Sequence, residues 1–279
     1  MMCDTMSSPP THQFYRHPAL PAAELRISRQ SPHSYRLHMH AEYSLGIVDQ
    51  GQALFQHAGG CETLRPGSVV MIEPGAWHAC NPEQVTHWSY RMLYVQAEWL
   101  NNLLGIAGLH FTQRVAHDVT LSQSIDQLCQ PWTSGHTEAW SAQLAQLLGA
   151  RHIAQPFTAT SSSEAIAQAL HQLHQLHQHP DDAPSVQALA QAQGMTASRF
   201  IRHFKAATGV TPGAYRLNVR LNGARRLLAQ GLPLAEAAHA MGFADQAHLQ
   251  RSFKAHHALT PGRYAQGLPP SSARSCKPL

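Results

Sequence analysis

The stretch FKAATGVTPGAY at residues 204–215 returns forty-nine positions later as FKAHHALTPGRY at 253–264. Both copies read Phe-Lys, five residues, Thr-Pro-Gly, one residue, Tyr. Self-similarity at a fixed spacing marks one supersecondary unit used more than once, so the last third of the chain must fold as two like modules. The likeness extends upstream, to VQALAQAQGMTASRFIRHFK (186–205) and LAEAAHAMGFADQAHLQRSFK (234–254). Each unit opens with a short amphipathic helix, carrying Val186, Leu189 and Ala190 in the first and Leu234, Ala237 and Ala238 in the second. Each then breaks at a glycine, Gly194 or Gly242, where a positive φ can end a helix. Thr196 or Asp245 stands where an N-cap belongs, and a second helix follows. The second copy carries one extra residue after its glycine.

Helix, glycine turn, helix is the helix-turn-helix arrangement. In the second helix of the first unit, Phe200 and Phe204 lie four apart and share an inward face. Arg202 is two steps from each, about 200° round at 3.6 residues per turn, so it points outward with Ser198 and Lys205. In the second unit Leu249 and Phe253 are the anchors, and Arg251 points outward beside Ala247, Gln250 and Lys254. An exposed arginine on a helix in the major groove can pair with guanine O6 and N7, and a flanking lysine suits phosphate. Between the units, TPGAYRLNVRLNGARRLLAQG predicts a helix capped by Thr211, opened by Pro212 and closed by Gly231, with Leu217, Leu221, Ala224 and Leu228 as its apolar stripe. At roughly 19 residues it would span about 28 Å. Successive major-groove faces of one duplex lie ~34 Å apart, so the helix can hold two reading heads on one side of it.

Charge follows the same division. From Ser185 to Tyr264 there are ten Lys/Arg and two acids, a local +8, within a chain whose net charge is +4. A basic unit joined to an acidic remainder points to a polyanionic partner. The five cysteines (Cys3, Cys61, Cys80, Cys129, Cys276) are scattered and form no C-x-x-C pair. With no apolar run long enough to span a membrane and an N-terminus unlike a signal peptide, a reduced, cytoplasmic protein is expected.

At these C-terminal residues the chain resembles the AraC/XylS family of bacterial transcription regulators. AHAMGFADQAHLQRSFKAHHALTPGRY is close to the family's second motif, and RLNGARRLLAQG to its linker helix. The resemblance implies base-reading positions Ser198, Ile201 and Arg202 in the first head, and Gln246, Ala247, His248, Gln250 and Arg251 in the second, with Arg199, Lys205 and Lys254 completing the DNA-facing set. It further implies promoter DNA, a small-molecule effector and, for an activator, RNA polymerase as partners of a homodimer. His257-Ala258 departs from the pattern, standing where the first copy has Thr208-Gly209.

The N-terminal half has a different grammar. From about Arg26 to Tyr94, short apolar or alternating runs (SLGIVDQG, GSVVMIEPG, SYRMLYV) are separated by Gly and Pro turns, as in an antiparallel barrel or sandwich. HMHAEYSLG sets His38, His40 and Glu42 at two-residue steps, which share one side of a strand. LRPGSVVMIEPGAWHACN adds Trp77 and His78 after a tight turn, and Tyr90 follows on a further strand. Such a set resembles the cupin barrel, and cupin-like sensors of the AraC/XylS family bind small effectors, often without metal. His38, His40, Glu42, Trp77, His78 and Tyr90 are therefore expected to line an effector pocket with no cofactor. His38, His40, Glu42 and His78 are also chemically suitable metal ligands, and a cupin metalloenzyme with an attached DNA-binding domain is the alternative. His171, His174 and His177, at three-residue steps, read as a polar helical face or, less readily, a metal site.

The expected architecture is α+β in two domains: a cupin-like antiparallel β-barrel with following helices, then an all-α tandem helix-turn-helix domain. The boundaries read as an N-terminal arm (1–20), a sensing and dimerisation domain (21–157), a linker with a helix (158–184), a DNA-binding domain (185–267, motifs at 186–207 and 234–256) and a tail (268–279). The leucines of the helical text at 120–153 can pair protomers or pack on their own barrel.

Overall fold

The computed structural model describes residues 11–31, 34–83, 88–132, 137–150, 153–156 and 184–266. Its β-rich half begins earlier than expected. Residues assigned to the arm form β1 (Thr11–His17), which pairs antiparallel with β2 (Leu20–Arg29). Six strands make the larger sheet, in the order β1, β2, β8 (Ser89–Gln96), β3 (Glu42–Gln50), β6 (Val69–Ile72) and β10 (Val115–Ala116). Facing it is a three-stranded sheet of β4 (Ala53–His57), flanked by β5 (Gly60–Leu64) and β7 (His78–Pro82). The ladders do not close, so the expected barrel is a barrel-like sandwich. Val48, Phe55, Leu64, Ile72, Trp88 and Met92 fill the layer between the sheets.

The large sheet is covered on its other face as well. Helices α1 (Ala97–Leu104), α2 (Val119–Leu128) and α3 (Thr137–Gly149) pack there against Leu25, Leu45, Met71, Leu93 and Val95. This double burial is why β8 reads as a nearly continuous apolar run. Asp118 caps α2, its carboxylate accepting the Leu121 N–H at 2.7 Å, and Leu121, Ile125 and Leu128 then turn to the sheet. Leu144 and Leu148 of α3 join the same core. These leucines therefore pack on their own chain's sheet. A small pair, β9 (Leu109–Phe111) with β11 (Ala154–Pro156), closes this half.

The helical half comprises α4 (Val186–Ala192), α5 (Ala197–Thr208), α6 (Pro212–Ala229), α7 (Leu234–Ala240), α8 (Gln246–His257) and α9 (Pro261–Ala265). Residues 158–183 of the expected linker, with His171, His174 and His177, and the tail at 268–279 lie outside the described residues. Among the described residues no helix is long and apolar enough to cross a membrane.

Candidate nucleic-acid interface and sensor cavity

The two heads are built alike. Ser185 caps α4, and Gly194 at φ 63° turns the chain. The Thr196 hydroxyl then accepts the Arg199 N–H at 3.3 Å to start α5. Phe200 and Phe204 are fully buried against Leu189, Ala190, Val210 and Tyr215. In the second head Gly242 turns at φ 65°, Asp245 caps α8 on the His248 N–H, and Leu249 and Phe253 are fully buried. Phe243 takes the place of Met195, its N–H donating to Ala238 O as that of Met195 does to Ala190 O, and its ring fills the core of that head, so the extra residue is the exposed Ala244.

The repeated Thr-Pro-Gly-x-Tyr also has one physical meaning. Thr211 and Thr260 cap α6 and α9, accepting from Ala214 N–H at 3.3 Å and Arg263 N–H at 3.4 Å. Pro212 and Pro261 occupy the first helical turn. Tyr215 and Tyr264 then back the reading helices, each ring centroid 5.6 Å from that of Phe204 or Phe253. Ala258 takes φ 61° in the position held by Gly209 in the first copy, so the departing residue keeps the turn in a left-handed conformation.

The outward faces carry the expected side chains. Ser198, Arg199, Arg202 and Lys205 are exposed on α5, with Ile201 half-buried. Gln246, Ala247, Gln250, Arg251 and Lys254 are exposed on α8. His248 is half-buried, its ring edge-on to Phe243 at 5.3 Å. The connecting α6 has 18 residues, or about 27 Å at 1.5 Å per residue.

In the sandwich, His38, His40 and His78 converge at one end of a cavity of about 40 Å³ that Arg26, Tyr35 and Tyr90 also line. One ring nitrogen from each imidazole lies within 4.8 Å of the others. A backbone bridge between His38 and His78 fixes their register. Burial pushes His78 down to about 4. Burial, reinforced by the neighbouring imidazoles, holds His38 and His40 well below the usual range. In all three rings burial thus favours the neutral form.

Glu42 and Trp77, expected in the same pocket, stand outside it. A bend at Ala41 breaks the alternation, and the Glu42 carboxylate turns to Arg225 of α6 at 2.8 Å. Trp77 packs on Tyr215 of the first head, with ring centroids 5.7 Å apart. Sequence reasoning missed Arg26, which is 4% exposed. Its guanidinium donates to the Tyr35 hydroxyl at 2.7 Å, and no carboxylate among the described residues forms an ion pair with it. A charge between the apolar Leu25 and Ile27 was its one signal. Arg225 was also missed. It is buried between Glu42 and Glu24, with its guanidinium 4.9 Å from the Tyr94 ring centroid.

A ligand-binding β-sandwich fused to two helix-turn-helix heads with cationic outer faces defines a single-chain transcription regulator. The sequence matches the AraC-like ligand binding domain over residues 20–148 and a helix-turn-helix domain over 189–267. It is 25% identical over 222 residues to the uncharacterised HTH-type transcriptional regulator YbfI of Bacillus subtilis, covering 76% of this chain and 80% of that protein. It is 25% identical over 245 residues to the arabinose operon regulatory protein of Escherichia coli, covering 81% and 80%. The fold is similar to that of ToxT from Vibrio cholerae with an unsaturated fatty acid bound, with TM-score 0.55 and 12% identity over 96% of this chain and 98% of that one. The chain belongs to the AraC family of transcription regulators, with a ligand-binding domain joined to a helix-turn-helix DNA-binding domain.

Proposed function

We propose that this regulator is a cytoplasmic, effector-responsive activator that reads two successive major-groove segments of promoter DNA. Residues 21–157 sense and 185–267 bind. In the first head Ser198, Ile201 and Arg202 address base edges while Arg199 and Lys205 hold the backbone. In the second, Gln246, Ala247, His248, Gln250 and Arg251 address bases and Lys254 a phosphate. Ile201 and Ala247 offer apolar contact to thymine methyl groups. The effector enters the cavity bounded by His38, His40, His78 and Tyr90. As an activator the protein engages RNA polymerase, and as a homodimer it sets four heads on DNA and multiplies affinity. The related proteins are named regulators, which supports a non-enzymatic role.

The observation that carries this reading is the pair of exposed, arginine-bearing faces on α5 and α8, each on a helix anchored by two fully buried apolar side chains. Footprinting upstream of neighbouring genes, with and without candidate metabolites, tests it. The expected result is protection of two adjacent major-groove segments that a metabolite changes. Protection indifferent to Arg202→Ala and Arg251→Ala made together, or none at low salt, would refute it.

A further inference from the structure

The three cavity histidines share a feature that a filler of polar space does not need. Each directs Nδ1 at a backbone carbonyl: His38 at Arg36 O (2.8 Å), His40 at Glu42 O (3.1 Å) and His78 at Ala76 O (2.9 Å). A carbonyl only accepts, so Nδ1 must carry the proton in all three rings. Each Nε2 then carries the lone pair, and at His40 the Ser44 hydroxyl lies 3.4 Å from it. A backbone or carboxylate acceptor on one imidazole nitrogen is how metal-ligating histidines are oriented and their tautomer fixed.

The cavity that the rings bound holds about 40 Å³, room for an ion with a water or two and far short of the space a drug-sized molecule needs. Three imidazoles without a carboxylate favour the borderline ions, Zn²⁺, Co²⁺ and Ni²⁺, over Mg²⁺ or Ca²⁺.

The same backbone segments reach the DNA-binding half. Along 38–40 the two histidines point into the sandwich, and Met39 between them is buried in the core of the first head with Phe200, Phe204 and Tyr215. Asn222 of α6 donates to the Met39 carbonyl at 3.0 Å. Next to His78, Trp77 enters that core too. Every ligand-bearing segment therefore has a neighbouring side chain in the first head. Bonds of about 2.0–2.1 Å in tetrahedral geometry bring ligand nitrogens to about 3.4 Å of one another, and one ring nitrogen of each histidine lies within 4.8 Å of the others, so an ion would tighten the cluster and with it the backbone that carries Met39 and Trp77.

We propose that His38, His40 and His78 bind one divalent transition-metal ion through their Nε2 atoms, and that the first head senses its occupancy through Met39 and Trp77. This rests on the effector-responsive reading above and names the class of effector.

The test uses the full chain, stripped with a chelator and titrated with Co²⁺, followed by its visible absorption and by metal analysis. One Co²⁺ per chain is expected, with binding weakened about 100-fold or more by His40→Ala or His78→Ala and retained by His110→Ala, whose ring is exposed. Because a cavity variant can fail to fold, the wild-type chain supplies a second readout: Co²⁺ must protect histidines from acylation by diethyl pyrocarbonate. Binding to the footprinted DNA should change at least about fivefold with Co²⁺, the lower end of ordinary coupling. Met39→Ala should keep the metal and lose that response. Absence of stoichiometric Co²⁺, or its retention by a folded His40→Ala/His78→Ala chain, overturns the site. A bound ion that leaves DNA affinity unchanged overturns the sensing. In either case a metabolite-dependent footprint would leave the broader reading standing, whereas loss of all DNA binding would remove that reading and not the metal site.

Discussion

Arg225 holds the sensor to the linker helix, and its removal has a calculable cost. Its side chain is 9% exposed, and its guanidinium lies 2.8 Å from the Glu42 carboxylate and 3.9 Å from that of Glu24. Stripping one partner from a buried ion pair costs about 3–5 kcal/mol, mostly for the charge left behind. Here the orphaned charges are unequal. Glu24 keeps Arg16 at 2.7 Å and the Tyr264 hydroxyl at 2.8 Å. Glu42 loses its ion-pair partner, but its side chain is 25% exposed and water recovers part of the loss. Arg225→Met, which keeps the apolar stem beside Tyr94, should therefore destabilise by about 2–3 kcal/mol, below the fully buried range. A double-mutant cycle with Glu42→Gln, read by urea unfolding, isolates the pair from the packing. A coupling of about 1–2 kcal/mol is expected, because the double variant buries neither charge. Single-variant losses that add to within about 0.5 kcal/mol would mean the contact does not join the two halves energetically.

On DNA, Arg251→Ala should cost about 1–3 kcal/mol and relax preference at one base position, as measured by binding to a set of single-base operator variants. Lys254→Ala should weaken all those sequences alike and flatten the plot of log K against log salt by about one. Ala258→Gly should raise the stability of the second head by up to about 1 kcal/mol in thermal or urea unfolding, since a β-carbon at φ 61° is strained. Unchanged or lowered stability would show that the buried methyl outweighs the strain.

The helical half was legible because its signals are local and doubled. Caps, glycine turns and the Phe200/Phe204 spacing each fix a face within one turn of helix, and the second copy repeats the reading independently. The β-half was less so. Alternation is the only strand signal in HMHAEYS, and the bend at Ala41 moves Glu42 from the histidines to Arg225. No periodicity reports such a bend. The same blindness applied to residues 11–17, where polar and histidine-rich text forms an edge strand whose partners lie in β2. Polar residues sit comfortably on an edge, so composition alone made it look like an arm.

The contacts between the halves were beyond reach for a different reason. Met39 and Trp77 are apolar residues among cavity-facing histidines, and a one-domain reading counts them as sensor residues. In the fold they belong to the core of the first head. The repeated tyrosines show the complementary case. Tyr215 backs Phe204 and also meets Trp77, while Tyr264 backs Phe253 and also meets Phe14 at 5.0 Å and the Glu24 carboxylate at 2.8 Å. One side chain per head thus supports a reading helix from behind and touches the sensor. The first junction is apolar, whereas the second combines an aromatic pair with a buried charge network. A shift at the cavity histidines acts directly on the first through Met39 and Trp77. It reaches the second through β2, where Arg26 lines the cavity and donates to the His257 carbonyl at 3.3 Å. The duplication that fixed the modules in sequence also gave the sensor two matching points of contact, which the sandwich meets with different chemistry.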